Sequence, residues 1–343
     1  MVDELENRDK KLGELGEEGV LEKIISKYIH KPLPGEYLDY PDDARDILPI
    51  SPRILVNIDG YSISSMKLPW RTWSDVGYVA VAGAISDQIA KGAVPRDIMV
   101  SLGLPPSMEA SIVEEIYKGI DEASRDYNLR LLGGDTNSSS TPWISVAVIG
   151  YTTAKKPPSR KNAKPGDIVV VTSLYGAMGY VAINGVENAI HKEWVVEATK
   201  RPRPFLETAI VIASNYRGVH ASIDVSDGLG YALKELSKRS NVRIILEDKP
   251  LYYKELEEIC NGNTRCLWKY VLNGGEEYGV ILTIDPRLSD MIIDYMKKFR
   301  IPHKIIGRVE QGHGLVFEKE EISIDEIVRW DHFKGWVPIF SNS

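Results

Sequence analysis

The chain has 343 residues, more than one typical hydrophobic core requires, which predicts two domains. Hydrophobic residues make up 43% and charged residues 27%, proportions ordinary for a soluble globular protein. A net charge of -7 argues against broad nucleic-acid binding, and no apolar run is long enough to span a membrane. The segment 1–18 is charged and lacks the apolar stretch of a signal peptide, so we expect a cytoplasmic location.

Apolar spacing and turn residues predict alternating helices and strands in the first half of the chain. In chain order they are a helix over 16–28, a strand over 53–58, a helix over 75–91, a strand over 98–104, a helix over 108–127, and strands over 129–132 and 143–151. Gly92 stands where a helix C-cap belongs. The paired lysines and prolines of 155–158 suit an exposed linker, which predicts domains at 1–155 and 156–343.

The second half continues the same alternation. Strands are predicted over 168–172, 220–225, 242–246, 279–284 and 304–309, with helices after the turn at 175–179 and over 228–237. This order favours an α/β or α+β fold.

Three phrases place carboxylates at glycine-marked breaks beside predicted strands. They read Leu-Gly-Gly-Asp-Thr at 132–136, Ile-Asp-Val-Ser-Asp-Gly-Leu at 223–229 and Gly-Gly-Glu-Glu-Tyr at 274–278. Carboxylates gathered at strand ends repel one another unless a cation joins them. Mg²⁺ prefers such oxygen ligands, and phosphate oxygens usually complete its shell. The phrases therefore predict a magnesium-dependent enzyme acting on phosphates.

Two of these phrases, and Asp87, also have a purely structural explanation. Ser226 or Asp227 suits the N-cap of the following helix, and the glycines before Asp135 suit an ordinary turn. Asp87 precedes Lys91 by four residues, the spacing of a surface ion pair on a helix. Asp224, by contrast, is not needed for a cap, and two carboxylates beside a helix N-terminus fit metal and phosphate binding.

Several nucleotide-binding and catalytic motifs are missing from the sequence. There is no GxxxxGK[ST] loop, no GxGxxG run between a strand and a helix, no Asp-Phe-Gly set and no GxSxG elbow. A bound nucleotide would therefore depend on metals and on scattered turns.

The two cysteines, Cys260 and Cys266, have no CxxC or histidine partners that would indicate zinc. Reduced thiols are the simplest interpretation, and the sequence leaves open whether the two cysteines form a disulfide. The scarcity of glutamine beside plentiful lysine, arginine and glutamate hints at a thermophile, in which a disulfide is conceivable.

Taken together and in register, the phrases resemble the thiamine-monophosphate kinase family. That family belongs to the ATP-binding superfamily of aminoimidazole ribonucleotide synthetase, selenophosphate synthetase and a hydrogenase maturation factor. The resemblance extends from 13–16 to 330–333 and includes 85–90, 100–105, 132–136, 163–167, 224–229 and 274–278.

The resemblance implies a two-domain aminoimidazole-ribonucleotide-synthetase-like fold. Its N-terminal α/β half would pair with a second subunit in a homodimer, and its C-terminal α/β half would cover the active site. The implied activity transfers the γ-phosphoryl group of ATP to thiamine monophosphate, with no covalent enzyme intermediate and therefore no catalytic nucleophile. No nucleic acid or membrane partner is expected.

The implied ligands fall into three groups. The metal-binding carboxylates would be Asp43, Asp59, Asp87, Asp135, Asp224 and Asp227, holding Mg²⁺. Gly134, Asp135, Arg160 and Ser226 would contact ATP. Glu276 and Trp330 would contact the thiamine end, where an aromatic face suits a cationic thiazolium.

The chain departs from the family pattern in its N-terminal half. Pro41 and Arg45 flank the Asp42-Asp43 pair where relatives carry Gly and Ala, and Asn57 replaces a hydroxyl residue. Residues 64–67 lack the usual histidine, and Gly279 stands where Glu is frequent. Two alternatives therefore stay open: a related ATP-dependent enzyme with another acceptor, or a nucleotide-binding paralogue without turnover.

Overall fold

The computed structural model describes residues 10–319, 327–331 and 335–338. The chain divides into two compact units: residues up to Gln88 together with Pro95–Tyr151, and Ile89–Val94 together with the residues from Thr152 onward. The boundary between the two units thus falls after Tyr151, and the predicted linker at 155–158 lies just beyond it.

The first unit is built on a four-stranded sheet in the order β1-β4-β2-β3. Its elements are α1 (Leu12–Lys23), a 3-10 turn (Ile25–Tyr28), β1 (Ile54–Ser62), α2 (Ile63–Met66), α3 (Trp73–Ala90), β2 (Val94–Leu104), α4 (Ala110–Tyr127), β3 (Arg130–Ser138) and β4 (Trp143–Tyr151). Gly16 interrupts α1 with a left-handed φ of 67°. α3 ends at Ala90, and Gly92 follows with a φ of 71°, as expected near a helix C-terminus.

Two predicted strand ends are wrong. Asp59 lies inside β1, which continues to Ser62 through its antiparallel pairing with β4. Asp135 likewise lies inside β3, because Gly134 pairs with Val100 on parallel β2 and a bulge at Leu132 absorbs the change of register. A Cβ on Gly134 would lie 1.7 Å from the Val100 carbonyl oxygen. The glycines thus mark a close strand pairing and not a break.

A buried ion network holds the 30–46 loop against the start of β3. Arg130 donates from Nη1 to Glu36 Oε2 at 2.8 Å and from Nε to Asp97 Oδ1 at 2.6 Å, with all three residues buried. The hydrogen bond from Arg130 lowers the pKa of Glu36. Removal of one partner from such a network costs about 3–5 kcal/mol, because the other charges stay buried.

The second unit contains a six-stranded sheet in the order β10-β7-β9-β5-β8-β6 and a separate two-stranded sheet. Its strands are β5 (Ile168–Thr172), β6 (Val219–Val225), β7 (Arg243–Leu246), β8 (Gly279–Ile284), β9 (His303–Glu310), β10 (Gly314–Phe317), β11 (Val328–Asp331) and β12 (Gly335–Pro338). Its helices are α5 (Ala177–Asn184), α6 (Val186–Ala189), α7 (Glu193–Lys200), α8 (Glu207–Ser214), α9 (Leu229–Ser240), α10 (Glu255–Cys260), α11 (Thr264–Leu272) and α12 (Ser289–Lys298). The predicted mixture of helices and strands is confirmed.

Of the two alternatives for the cysteines, the disulfide is the one present, and the simpler interpretation as reduced thiols is wrong. Cys260, the last residue of α10, and Cys266, in the first turn of α11, form a disulfide with a Cα–Cα distance of 5.5 Å. The tight turn at 261–263 brings the two helix ends within bonding range.

Among the described residues, no helix combines the length and the hydropathy needed to cross a bilayer.

The close pairing at Gly134 predicts a stability effect. Gly134→Ala should lower the free energy of unfolding by about 1–3 kcal/mol, because the added methyl group forces β3 away from β2. Urea unfolding measures this change. Gly60→Ala in β1 is the matched control, since its Cβ would meet only the Ser145 hydroxyl at 3.3 Å. Equal effects of the two substitutions would contradict the interpretation of Gly134.

Candidate functional site

Asp224 is the buried carboxylate at the end of β6. It is 4% exposed, and the exposed Arg160 donates from Nη2 to its Oδ1 at 3.3 Å. The Arg160 segment reaches this position because Ser159 bridges to Ala221 on β6, and the Ser159 carbonyl accepts from the Ser222 amide at 3.2 Å. The structure therefore brings together two of the predicted ligands, one acidic and one basic.

The turn after β6 does not have the predicted capping arrangement. Gly228 is the N-cap of α9, with a φ of 106° and no side-chain cap, so neither Ser226 nor Asp227 occupies the N-cap position. Ser226 is exposed and Asp227 is half-buried. The prediction that Ser226 or Asp227 is the N-cap residue is therefore wrong.

The segments 224–228 and 274–278 pack backbone against backbone. The Glu276 amide donates to the Ser226 carbonyl at 2.7 Å, and the Tyr278 amide donates to the Val225 carbonyl at 3.1 Å. Glycine is required on both sides of this contact. A Cβ on Gly228 would lie 2.5 Å from the Gly274 carbonyl oxygen, and one on Gly275 would lie 2.5 Å from that of Ser226. Two phrases almost fifty residues apart thus form one structural unit.

The 274–278 loop has an unusual backbone conformation. Glu276 and Tyr278 adopt left-handed φ values of 54° and 43°, which cost energy for residues with a side chain. Gly274, with a φ of 93°, lies against the α5 turn, where an added Cβ would be 2.4 Å from the Gly179 nitrogen. Strain held by surrounding packing is a common feature of ligand-binding loops.

Glu277 is a buried carboxyl that the sequence interpretation passed over. Its Oε1 accepts from the Gly176 amide at 2.7 Å, and its Oε2 is buried without a hydrogen-bond partner. Burial raises the pKa of Glu277 well above its ordinary value, against the lowering effect of the amides of Gly176 and Met178. The doubled Glu after two glycines was the available signal, but the sequence alone does not show which of the two carboxyls points inward.

The departure at Gly279 has a local cause. A Cβ there would lie 2.1 Å from the hydroxyl oxygen of the fully buried Tyr175, and 2.4 Å from the Thr172 carbonyl. The Tyr175 hydroxyl donates to that same carbonyl at 2.8 Å. The phenol thus occupies the space that a side chain at position 279 would need.

The backbone of Trp330 lies in β11, which is linked to the 274–278 loop. The Val328 amide donates to Asn273 Oδ1 at 2.6 Å, and Trp330 pairs with Trp336 across the β11–β12 hairpin. The Trp330 side chain lies outside the described part of the structure, so its predicted contact with the thiamine end stays a prediction.

In the first unit, the loop carrying Asp43 is attached to the Asp135 segment. Arg45 donates from Nη1 to the carbonyls of His30, at 3.0 Å, and Leu132, at 3.2 Å. Asp43 and Asp135 are both exposed. Arg45, one of the departures from the family pattern, therefore connects two segments that each carry a predicted metal ligand.

Asp59 and Asp87 form a second group, on β1 and α3. Asp87 Oδ2 accepts from Asn57 Nδ2 at 3.3 Å, and Asn57 is two residues before Asp59 on the same face of β1. The Lys91 ammonium donates to the Ser222 carbonyl. Asp87 therefore contacts an amide of β1, a partner that its spacing from Lys91 does not predict.

The first unit does not bring all its predicted carboxylates to one point. β1 and β3 are the opposite edges of the sheet, about 14 Å apart at the usual strand spacing. Within the described ranges, no three His, Cys, Asp or Glu side chains form a cluster able to hold a metal ion. The donors nevertheless fit Mg²⁺, which takes one or two protein carboxylates and leaves the rest of its shell to water and phosphate. The full metal set stays a prediction.

Comparisons with known proteins extend these observations. The model of the AIR synthase related protein N-terminal domain matches residues 42–152, and that of the C-terminal domain matches residues 164–320. The thiamine-monophosphate kinase of Pyrococcus abyssi (strain GE5 / Orsay) is 30% identical over 295 residues, covering 83% of this chain and 90% of that protein. The chain belongs to the thiamine-monophosphate kinase family.

Other members of the thiamine-monophosphate kinase family match over almost the whole length. The enzyme of that name from Aquifex aeolicus (strain VF5) is 28% identical over 328 residues, covering 94% of this chain and all of the relative. The solved structure of "AaThiL complexed with AMPPCP and TMP" is 27% identical with a TM-score of 0.68, covering 94% of this chain and 99% of that one. The predicted two-domain fold is confirmed.

The buried Glu277 predicts a pH effect on stability. Because its pKa is raised in the folded protein, its contribution is complete below the ordinary value of 4.5 and is lost as the pH rises toward the folded value. Glu277→Gln cannot ionise. Between pH 5 and pH 8, the free energy of unfolding of wild type should therefore fall relative to that of the variant. The fall is about 1.4 kcal/mol for each pH unit over which Glu277 is ionised in the unfolded chain but still protonated in the folded protein.

Urea unfolding at the two pH values measures this change, and Glu276→Gln in the same loop controls for the loss of one negative charge. A constant difference between wild type and Glu277→Gln from pH 5 to pH 8 would show that the Glu277 carboxyl is not held neutral.

Proposed function

We propose that this chain is an ATP- and Mg²⁺-dependent kinase that phosphorylates thiamine monophosphate to thiamine diphosphate by direct phosphoryl transfer. Family membership over most of the chain supports the proposal. The structural observation that carries it is the direct joining of the 224–228 and 274–278 segments. This contact places residues predicted to bind ATP and Mg²⁺ next to one predicted to bind the acceptor.

The nucleotide end of the reaction would be bound by the residues around β6. Arg160 offers a guanidinium whose charge suits phosphate oxygens, and its bond to the buried Asp224 limits its freedom. Ser226 offers an exposed hydroxyl in the turn before α9. In the first unit, Gly134 and Asp135 are both exposed to solvent, so a ligand could reach them. These residues would orient the triphosphate, and positioning is most of what an enzyme contributes to phosphoryl transfer.

The six predicted carboxylates would hold Mg²⁺, which neutralises phosphate charge when it is bound. Four of them accept a hydrogen bond from a neighbouring side chain: Asp59 from Tyr61, Asp87 from Asn57, Asp135 from Asn137 at 2.6 Å, and Asp224 from Arg160. The two substrates are both anionic, so the carboxylates without the cation would repel them.

The acceptor end would be bound by Glu276 and Trp330. Glu276 is half-buried in the strained loop, and its carboxylate would complement the cationic thiazolium. The Asn273–Val328 hydrogen bond ties the strand of Trp330 to this loop. We place no enzyme nucleophile in the site, because the acceptor phosphate attacks ATP itself.

An assay of ADP release with Mg²⁺, with and without thiamine monophosphate, tests the reaction. Release should depend on that acceptor. Asp227→Asn should weaken Mg²⁺-ATP binding by about tenfold or more without changing the melting temperature, because a neutral amide is a poorer metal ligand. Asp290→Asn, at the start of α12, is the charge-matched control.

ADP release with another phosphorylated acceptor, but not with thiamine monophosphate, would support the first alternative. Tight ATP binding without turnover on any acceptor would support the paralogue without activity. Unchanged nucleotide binding by Asp227→Asn would remove Asp227 from the site.

We also propose that the chain forms a homodimer through the outer face of the first sheet. Three β-branched residues of edge strand β1 are strongly exposed: Ile54 at 46%, Val56 at 72% and Ile58 at 66%. Ile149 and Ala147, their register partners on β4, are only partly covered. A contiguous apolar face of this kind favours a protein partner, and a second copy is the partner that family resemblance implies.

Val56→Lys should convert this dimer to a monomer, because it places a charge at the centre of the apolar face. Sedimentation velocity should show the mass fall from twice the chain mass to the single-chain 38.4 kDa. Met291→Lys, at an exposed apolar site on α12, is the matched control and should leave the dimer intact. A monomeric wild type, or a dimeric Val56→Lys protein, would contradict the proposed interface.

A further inference from the structure

Asn57 makes three hydrogen bonds to the C-terminal part of α3. Its Nδ2 donates to the Ala84 carbonyl at 2.9 Å and to Asp87 Oδ2 at 3.3 Å. Its Oδ1 accepts from Gln88 Nε2 at 2.7 Å. One amide side chain on β1 therefore contacts three residues within the last two turns of α3, at positions 84, 87 and 88.

The surroundings of this amide favour a fixed geometry. Gln88 is 2% exposed and Asn57 is half-buried, so water competes little for these hydrogen bonds. The bonds to Ala84 and Gln88 fix the Asn57 side chain. The remaining N–H is thereby directed at the Asp87 carboxylate, which restricts its rotation.

The chemistry of an amide suits a carboxylate that must bind a cation. A lysine or arginine here would neutralise Asp87 and compete with the metal, whereas an amide orients the carboxylate and leaves its charge unchanged. A carboxylate has about four lone-pair sites, so one N–H bond does not exhaust its capacity. Asn57 also stands two residues from Asp59 on one face of β1, between two predicted metal ligands.

We propose that Asn57 is a positioning residue that fixes the Asp87 carboxylate for divalent cation binding. This inference rests on the proposed function, since it takes Asp87 as a Mg²⁺ ligand. It reverses the interpretation made from the sequence, in which Asn57 was only the loss of a hydroxyl that could help hold the metal. In this proposal, the exchanged side chain supports the metal site through its hydrogen bond to Asp87.

The test measures Mg²⁺ affinity without turnover. Calorimetric titration of Mg²⁺ into the full chain with the non-hydrolysable ATP analogue AMPPCP gives the affinity directly. Asn57→Leu, which keeps a similar volume and removes the donor, should weaken Mg²⁺ binding by about tenfold or more, the usual effect of losing a residue that orients a metal ligand.

A double-mutant cycle separates positioning from a general structural role. Asn57→Leu, Asp87→Asn and the double variant are compared with wild type, with thermal unfolding of each variant as the folding control. If Asn57 acts through Asp87, Asn57→Leu should cause no further loss of Mg²⁺ affinity in the Asp87→Asn background. If Asn57→Leu does not fold, Asn57→Ala, which removes the amide and adds no other polar group, takes its place.

Either of two results would overturn the inference: wild-type Mg²⁺ affinity in the Asn57 variant, or losses that multiply independently in the double variant. Because no acceptor is present, the cycle is separate from the choice of substrate. Coupled Mg²⁺ losses without turnover of thiamine monophosphate would sustain the role of Asn57 and reject the proposed reaction. Normal turnover of thiamine monophosphate with independent losses of Mg²⁺ affinity would support the proposed reaction and reject the role of Asn57.

Discussion

The backbone contact between the 224–228 and 274–278 segments is the constraint on which the site depends. It consists of amide-to-carbonyl bonds at Glu276 and Tyr278, and it is possible only because Gly228 and Gly275 have no side chains. The contact keeps Glu276 and Tyr278 in left-handed conformations that an isolated loop would avoid. The backbone segments that carry Asp224, Asp227 and Glu276 are consequently held together before any ligand binds, and in the proposed reaction this would help to position the phosphates.

The first unit applies a different principle, in which neutral amides orient acidic side chains. Asn57 contacts Asp87, and Asn137 contacts Asp135. Arg45 adds a further contact: its guanidinium donates a hydrogen bond to the Leu132 carbonyl and so ties the loop after Asp43 to β3. Asn57 and Arg45, which depart from the family pattern, thus make defined contacts beside predicted metal ligands.

Apolar periodicity was sufficient to predict most helices and strands, but not where strands end or which polar residues meet. Gly134 was interpreted as a turn residue, because the sequence does not show how closely β2 approaches it: an added Cβ would lie 1.7 Å from the Val100 carbonyl oxygen. Ser226 and Asp227 looked like caps because the N-cap role of Gly228 depends on the distant Gly274 loop. The paired Glu276 and Glu277 separate into a half-exposed and a buried carboxyl only after the loop takes its strained conformation. In all three cases the outcome depends on contacts between residues far apart in the sequence, which the local sequence pattern does not show.

The central claim is that the joined segments form the phosphate-binding part of the site. A crystal structure of this chain with AMPPCP and Mg²⁺ tests it most directly. The account predicts that the triphosphate lies against the turn of Ser226 and Asp227, with Arg160 in contact with a phosphate oxygen and the cation among the predicted aspartates. A triphosphate bound elsewhere, with Asp224 and Asp227 remote from both phosphate and metal, would contradict it.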